Sequence, residues 1–333
     1  MILVTGGTGL VGSHLLHQLI SKGELVRATY RAESSLDSVR EIFSFYKSDL
    51  FDKIEWVEAD LMDYFSLVDA MKGVEVVYHC GAMVSFKPSD RDTMFAINVE
   101  GTANLVNAAI DSDIKRFCYV SSIATLGKSL NGDPIDESTF WQNDDNHSVY
   151  SQSKFQAEME VWRGTKEGLN AVVVNPSVII GPCNADRSTG QLISTLNKNM
   201  TFYTGGGTGF VDVRDVVEAM IAVCQSEHIN ERFILNGDNL SYKELMTLAS
   251  AVFGVKAPTV KAGRILTGLA WRMERFKYML YGKAPRMTKE TARSSQNKSN
   301  YSSDKVKKEF NLTFHSIEAA LQNVNAFTQD EII

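Results

Sequence analysis

The sequence has few of the residues and runs that define several protein classes. Its four cysteines, Cys80, Cys118, Cys183 and Cys224, are far apart and form no C-x-x-C pair, so neither a disulfide framework nor a thiolate zinc site is indicated. Its six histidines include no H-E-x-x-H motif; His14 and His17 share a helical face and read as ordinary helix surface, so no metal is expected. No sustained run of Lys and Arg occurs, and 34 basic against 40 acidic side chains give a net charge of −6, which argues against nucleic acid as a partner. The best candidate for a long apolar run, Ile265 to Leu280, is interrupted by Arg272, Glu274, Arg275 and Lys277 and falls short of the ~20 apolar residues of a membrane span. It reads as an amphipathic helix covering a core or a ligand. Met1 runs directly into Ile2-Leu3-Val4 and then glycines, leaving no room for a secretory leader, so a cytoplasmic protein is expected.

What is present suits a folded enzyme. The chain of 333 residues is 44% hydrophobic and 22% charged, enough for a sizeable core and about two domains. Short β-branched runs at Ile2–Thr5, Leu25–Tyr30, Ile54–Glu58, Val74–His79, Arg116–Ser121 and Ala171–Asn175 alternate with helical patterns. Such alternation means βαβ units, because a parallel connection must cross back over one face of the sheet. Val172-Val173-Val174 lacks polar alternation, as strands buried on both faces do. The fold class expected is α/β: a doubly wound parallel sheet over residues 1–180, with a smaller α+β substrate lid over 181–333. Segments at about 210–236 are candidates to return to the first domain. The Ser/Asn-rich stretch Ser294 to Ser303 reads as a mobile loop.

The first strand runs into Gly6-Gly7-Thr8-Gly9-Leu10-Val11-Gly12 and then a helix. Glycines permit a tight turn and close backbone approach, so the helix N-terminus can face a diphosphate; Gly6, Thr8, Gly9, Leu10, Val11 and Gly12 form a candidate dinucleotide site. Arg31 follows the second strand where an acid would bond a ribose 2′-hydroxyl, which favours NADP(H) over NAD(H), although Glu33 stands within reach of a ribose. Asp60 follows the third strand, as an adenine contact or as a helix cap.

Tyr150 and Lys154 stand four residues apart on a helical pattern, one turn apart on one face. A phenol with an ordinary pKa of ~10 is a poor acid at neutral pH, and an adjacent ammonium lowers that value. Ser122, at the end of the fifth strand, either orients a substrate oxygen or caps the strand end.

Together these motifs resemble the extended short-chain dehydrogenase/reductase family over most of the chain. Thr5 to Gly12 resembles its T-G-x-x-G-x-x-G loop, Tyr150 and Lys154 its Y-x-x-x-K pair, and Ser122, five residues before Gly127, its hydroxyl position. The resemblance implies that Asp60 and Leu61 contact adenine and that Gly81 and Ala82 lie beside the nicotinamide ribose, with Ser121 nearby. It places Asn175, Pro176, Ser177 and Val178 against the carboxamide. Asn98, in an Asn-Val-Glu-Gly-Thr motif, either joins a proton relay or opens a helix. The helices containing Asn98 and Tyr150 form a homodimer interface in the family.

Sugar-nucleotide epimerases and dehydratases of the family carry Arg-Asp-Phe before the penultimate helix, and the stretch Gly207 to Asp215 has no such Arg-Asp-Phe. The second strand instead resembles that of dihydroflavonol, cinnamoyl-CoA and 3β-hydroxysteroid enzymes. The expectation is an NADP(H)-dependent oxidoreductase interconverting a carbonyl and an alcohol on a bulky, partly apolar small molecule, with Ser85, Phe86, Phe202 and Phe210 as pocket candidates. The loop around Leu130–Trp141 and the Ile265–Tyr281 helix would help to shape that pocket. An NAD-dependent epimerase or dehydratase is the alternative enzyme, and a non-catalytic NADP sensor the alternative of another class.

Overall fold

Each of the six early strand expectations corresponds to a strand in the computed structural model, which describes residues 1–85, 87–129, 131–142, 147–184, 188–281 and 288–330. Along the chain run β1 (Ile2–Thr5), α1 (Leu10–Ser21), β2 (Val26–Tyr30), α2 (Asp37–Phe45), β3 (Glu55–Glu58), α3 (Tyr64–Ala70), β4 (Val76–His79), α4 (Arg91–Phe95), α5 (Gly101–Asp111), β5 (Arg116–Val120), α6 (Val149–Lys166) and β6 (Ala171–Pro176). There follow β7 (Val178–Ile180), α7 (Ser188–Leu196), β8 (Phe202–Thr204), β9 (Gly207–Asp212), α8 (Val213–Gln225), β10 (Glu231–Leu235), β11 (Asp238–Ser241) and α9 (Tyr242–Phe253). The chain continues with β12 (Val260–Ala262), α10 (Arg264–Tyr281), α11 (Lys289–Ser294), α12 (Asp304–Phe310) and α13 (Ile317–Asp330).

Seven parallel strands form the main sheet in the order β10-β6-β5-β4-β1-β2-β3. It is a Rossmann-type doubly wound sheet. Successive residues point to opposite faces, so Leu3, Val77, Phe117 and Val173 enter the apolar layer under α3, α5 and α6, whereas Val4, Tyr78, Cys118 and Val172 enter the layer under α1 and α8. Burial on both faces explains why these strands carry no polar alternation. Strand order reverses between β1 and β4, and the carboxyl ends diverge there to leave a crevice.

The later chain divides its elements. β10 joins the main sheet beside β6, whereas β9 pairs with β7 and β11 in a separate three-stranded sheet covered by α9 and α13. The Ser/Asn-rich stretch is not the loose loop its composition suggests. Gly206 N bonds Ser295 O at 3.0 Å, Ile135 N bonds Asn300 O at 2.8 Å, and Ser302 N bonds Ile135 O at 2.9 Å. Backbone partners on two other segments satisfy the groups that its side chains would otherwise compete for.

Candidate active site

The β1–α1 turn is shaped by contacts that exclude side chains. Gly6 adopts φ +70°, and a Cβ on it would lie 2.5 Å from Gly81 N; a Cβ on Gly12 would lie 2.2 Å from Gly6 O. Both glycines are therefore required, one by the left-handed backbone and both by close approach. Thr8 and Gly9 complete the turn, Gly9 caps α1, and Leu10 and Val11 open that helix with no acidic residue in its first turn. Below the turn, Thr5 Oγ1 bonds His79 Nδ1 at 2.7 Å and His79 Nε2 bonds Thr102 Oγ1 at 3.0 Å. Burial lowers the His79 pKa to about 3, so this imidazole is a neutral strut.

Arg31 is exposed immediately after β2, at the rim of the crevice. Asp60 Oδ1 accepts from Met62 N at 2.8 Å, and the cap of α3 is Asp63, which accepts from Phe65 N and Ser66 N. The capping alternative for Asp60 is thereby excluded. Leu61 Cδ1 would lie 3.3 Å from a Cβ at position 81, which brings Leu61, Gly81 and the glycine turn together, with Ala82 exposed beside them.

Helix α6 is capped by Ser148, whose side chain accepts from Ser151 N. Tyr150, Lys154 and Glu158 then recur at every fourth position, one above another on the face turned to the sheet. Burial pushes the Tyr150 phenol up, and the nearby Ser122 side chain works against that shift. Ser122 Oγ accepts from Ala124 N at 3.1 Å, the local capping role considered for it. Lys154 Nζ donates to Tyr119 Oη at 2.7 Å and to Val120 O at 2.9 Å. The expected depression of the Tyr150 pKa by Lys154 is not what the free chain has: burial raises the phenol and lowers the ammonium to about 7.

Sequence reasoning missed Glu158. Its carboxylate is fully buried and accepts from Ser121 Oγ (2.5 Å), Thr125 Oγ1 (2.8 Å), Asn175 Nδ2 (3.0 Å), Trp162 Nε1 (3.0 Å) and Arg232 (2.6 Å). Five donors from β10, α6, β6 and the turn that follows β5 converge on one anion, and its charge raises the Lys154 pKa against burial. The legible signal was periodicity: Glu158 extends the Tyr-x-x-x-Lys spacing by one further turn.

Asn98 occupies a π-helical turn, where Nδ2 donates to Met83 O (3.0 Å) and to Ser153 Oγ (3.0 Å) and Oδ1 accepts from Met83 N (2.7 Å). These bonds tie the Met83 segment to the catalytic-type helix. Ser177 Oγ and Asn175 Oδ1 are buried without a hydrogen-bond partner among the described residues. With the glycine cradle, they fit a dinucleotide whose polar end lies against the Asn175–Val178 segment, of which Pro176 is buried and Val178 half-buried.

A groove of about 960 Å³ adjoins Ser148 and Ser151 at the start of α6. Its described lining is polar and includes Lys128, Lys289, Arg293, Lys298 and Asp133, with Ile135 as the one aliphatic side chain. Neither Phe202 nor Phe210, both expected in a substrate pocket, lines this groove. Phe210 is 1% exposed in the core of the three-stranded sheet, and Phe202 sits 47% exposed on β8 away from the groove lining. Ser85 donates to Asp90 at 2.6 Å and is absent from that lining, and Phe86 lies outside the described residues. Trp141 is stacked between His147 and Phe155.

His228, Glu231 and Glu309 also approach one another, within 4.8 Å, but at the amino-terminal edge of the sheet, and Lys305 already bonds Glu231 at 2.7 Å.

A doubly wound sheet with this turn and this hydroxyl–amine helix defines an NAD(P)-dependent oxidoreductase. The chain belongs to the NAD dependent epimerase/dehydratase family, whose model matches residues 2–235. It is 32% identical over 326 residues to a protein of Synechocystis sp. named "Putative dihydroflavonol 4-reductase", covering 96% of this chain and 91% of that one. It is also 29% identical to cinnamoyl-CoA reductase 1 of Petunia hybrida, over 76% of this chain and 77% of the relative. The crystal structure of gox2253 superimposes with a TM-score of 0.84 at 32% identity, covering 99% and 98% of the two chains. UDP-glucose 4-epimerase of Thermotoga maritima shares the fold, with a TM-score of 0.78 at 20% identity over 100% and 99% of the two chains.

Proposed function

We propose that the protein interconverts a carbonyl and an alcohol on a bulky small molecule, using NADP(H), with Tyr150 as the proton-transferring group. The observation that carries this reading is the approach of Tyr150 on α6 to Ser122 at the carboxyl edge of the sheet, with Lys154 buried one turn further along the same helix. Reductases among the relatives support it. Gly6, Thr8, Gly9, Leu10, Val11 and Gly12 would hold the diphosphate, Arg31 the 2′-phosphate, and Asp60 and Leu61 the adenine. Gly81, Ala82, Asn98, Ser121, Lys154 and the Asn175–Val178 segment would frame the nicotinamide end. A nicotinamide dinucleotide bound there supplies hydride exchange at the substrate carbon.

Ser122 holds the substrate oxygen, and Tyr150 donates its proton to that oxygen during reduction and recovers one in the reverse direction. Lys154, charged below a pKa of about 7 in the free chain, stabilises the phenolate that remains. The basic side chains along the groove beside Ser148 and Ser151 suit a polar or anionic group carried by the bulky, partly apolar substrate expected from the sequence. A cytoplasmic homodimer through the helical segments containing Asn98 and Tyr150 belongs to the same reading.

Tyr150→Phe should keep NADPH affinity, measured by fluorescence titration, and lose roughly 10²–10⁴-fold in turnover. Undiminished turnover with a good substrate removes Tyr150 as the acid. Tighter binding of NADH than NADPH removes Arg31 as a phosphate contact.

A further inference from the structure

Helix α10 turns its apolar face outward, not onto a core or a ligand. Ile265, Leu269, Met273 and Phe276 are 82%, 55%, 60% and 57% exposed, and Leu266 is 44% exposed. At about 100° per residue, these five positions fall within one arc of roughly 100°. The opposite side is the one that packs: Thr267 is buried, and Thr267, Gly268 and Trp271 line a cavity of about 280 Å³ against Ala292 and Gln296.

Charge marks what the exposed face fits. Arg272 borders one edge of the apolar arc and Lys277 the other, with Arg264 and Arg275 further round from Arg272. The helix holds four basic residues and one acidic residue, Glu274, in a chain whose net charge is −6. An apolar stripe edged by long cationic side chains is the pattern of a helix lying in a membrane interface, where the stems cover apolar surface and the charged ends meet anionic headgroups. A two-fold contact with a second copy would instead set these cationic edges against one another.

We propose that α10 docks the protein on a membrane surface rich in anionic lipid, lying in the plane of the headgroups with Ile265, Leu269, Met273 and Phe276 toward the acyl chains. The docking is peripheral, since no helix among the described residues is long and apolar enough to cross a membrane. It also places the groove near the lipid surface. Arg293, Gln296 and Asn297 line both the cavity behind α10 and the groove at Ser148 and Ser151. The inference does not rest on the cofactor assignment.

Flotation of the full chain with vesicles tests it, comparing phosphatidylcholine alone with phosphatidylcholine containing about 30 mol % phosphatidylglycerol at low salt. The wild type should float with the anionic vesicles and bind neutral ones at least about tenfold more weakly. Met273→Glu with Phe276→Glu should abolish flotation while leaving thermal unfolding unchanged, because both side chains are exposed. Arg272→Ala with Lys277→Ala should weaken binding roughly fivefold for each cation removed. A wild-type chain that stays out of the anionic vesicle fraction overturns the proposal. So does a Met273→Glu/Phe276→Glu variant that floats as well as wild type. A dimer in sedimentation that the same variant dissociates, without vesicle binding, assigns the face to a second copy.

Discussion

The carboxyl edge of the seven-stranded sheet and the α10–α11 region are built on opposite plans. At the sheet edge, Lys154 and Glu158 are buried, and five donors from four stretches of chain fix one carboxylate. Around α10 and α11, apolar side chains face solvent and the groove wall is made of exposed Lys, Arg and Asn. A proton transfer tolerates little displacement, so its groups sit on rigid elements locked by packing and hydrogen bonds. Surfaces that meet an outside partner need complementary chemistry more than rigidity. Substitutions at the sheet edge should therefore change stability and rate together, and those around the groove should change affinity alone.

The sharpest way to break that comparison is at Glu158. Glu158→Ala leaves Arg232 without its buried partner and should cost about 3–5 kcal/mol in chemical denaturation. A variant as stable as wild type would mean that the network is not what holds β5, β6, β10 and α6 in place. Glu158→Gln preserves shape and removes charge, so it tests the electrostatic part separately. Lys154 loses its proton as pH rises through about 7, and the Glu158 carboxylate holds that value up. The charge-neutral variant should consequently move the alkaline limb of kcat/KM toward lower pH, which a purely structural role would leave in place.

Gly6→Ala should follow in size. Its left-handed backbone alone adds about 1–3 kcal/mol of strain, and the new Cβ would press on Gly81 N. Loss of NADPH binding at temperatures where the fold persists is the expected readout. The smallest effect belongs to the groove. Arg293→Ala with Lys298→Ala should leave stability within about 0.5 kcal/mol of wild type. It should raise KM for a substrate bearing an anionic group while kcat stays constant; a fall in kcat with constant KM would tie the groove to the chemistry and blur the contrast.

Much of the first region is readable in the residues. β1 through β6, the glycine turn and the Tyr150–Lys154 spacing each arise from local preferences: strand burial, left-handed backbone and one helical turn. Phe210 and α10 show where such reading stops. An aromatic residue is equally suited to a pocket and to a core, and the pairing of β9 with β7 and β11 put Phe210 in the core. The amphipathic pattern of α10 fixes which residues share a face but not which way that face turns.

The sequence by itself determined the periodicities, and with them the parallel sheet, the dinucleotide turn and the line of phenol and amine on one helix, because these follow from contacts within a few residues. Tertiary structure alone decided that Glu158 would be enclosed by five donors, that the 294–303 stretch would be held by backbone bonds, and that α10 would show its apolar side to solvent. Each of these depends on which distant segments meet, and long-range packing is a property of the whole chain that no local spacing encodes.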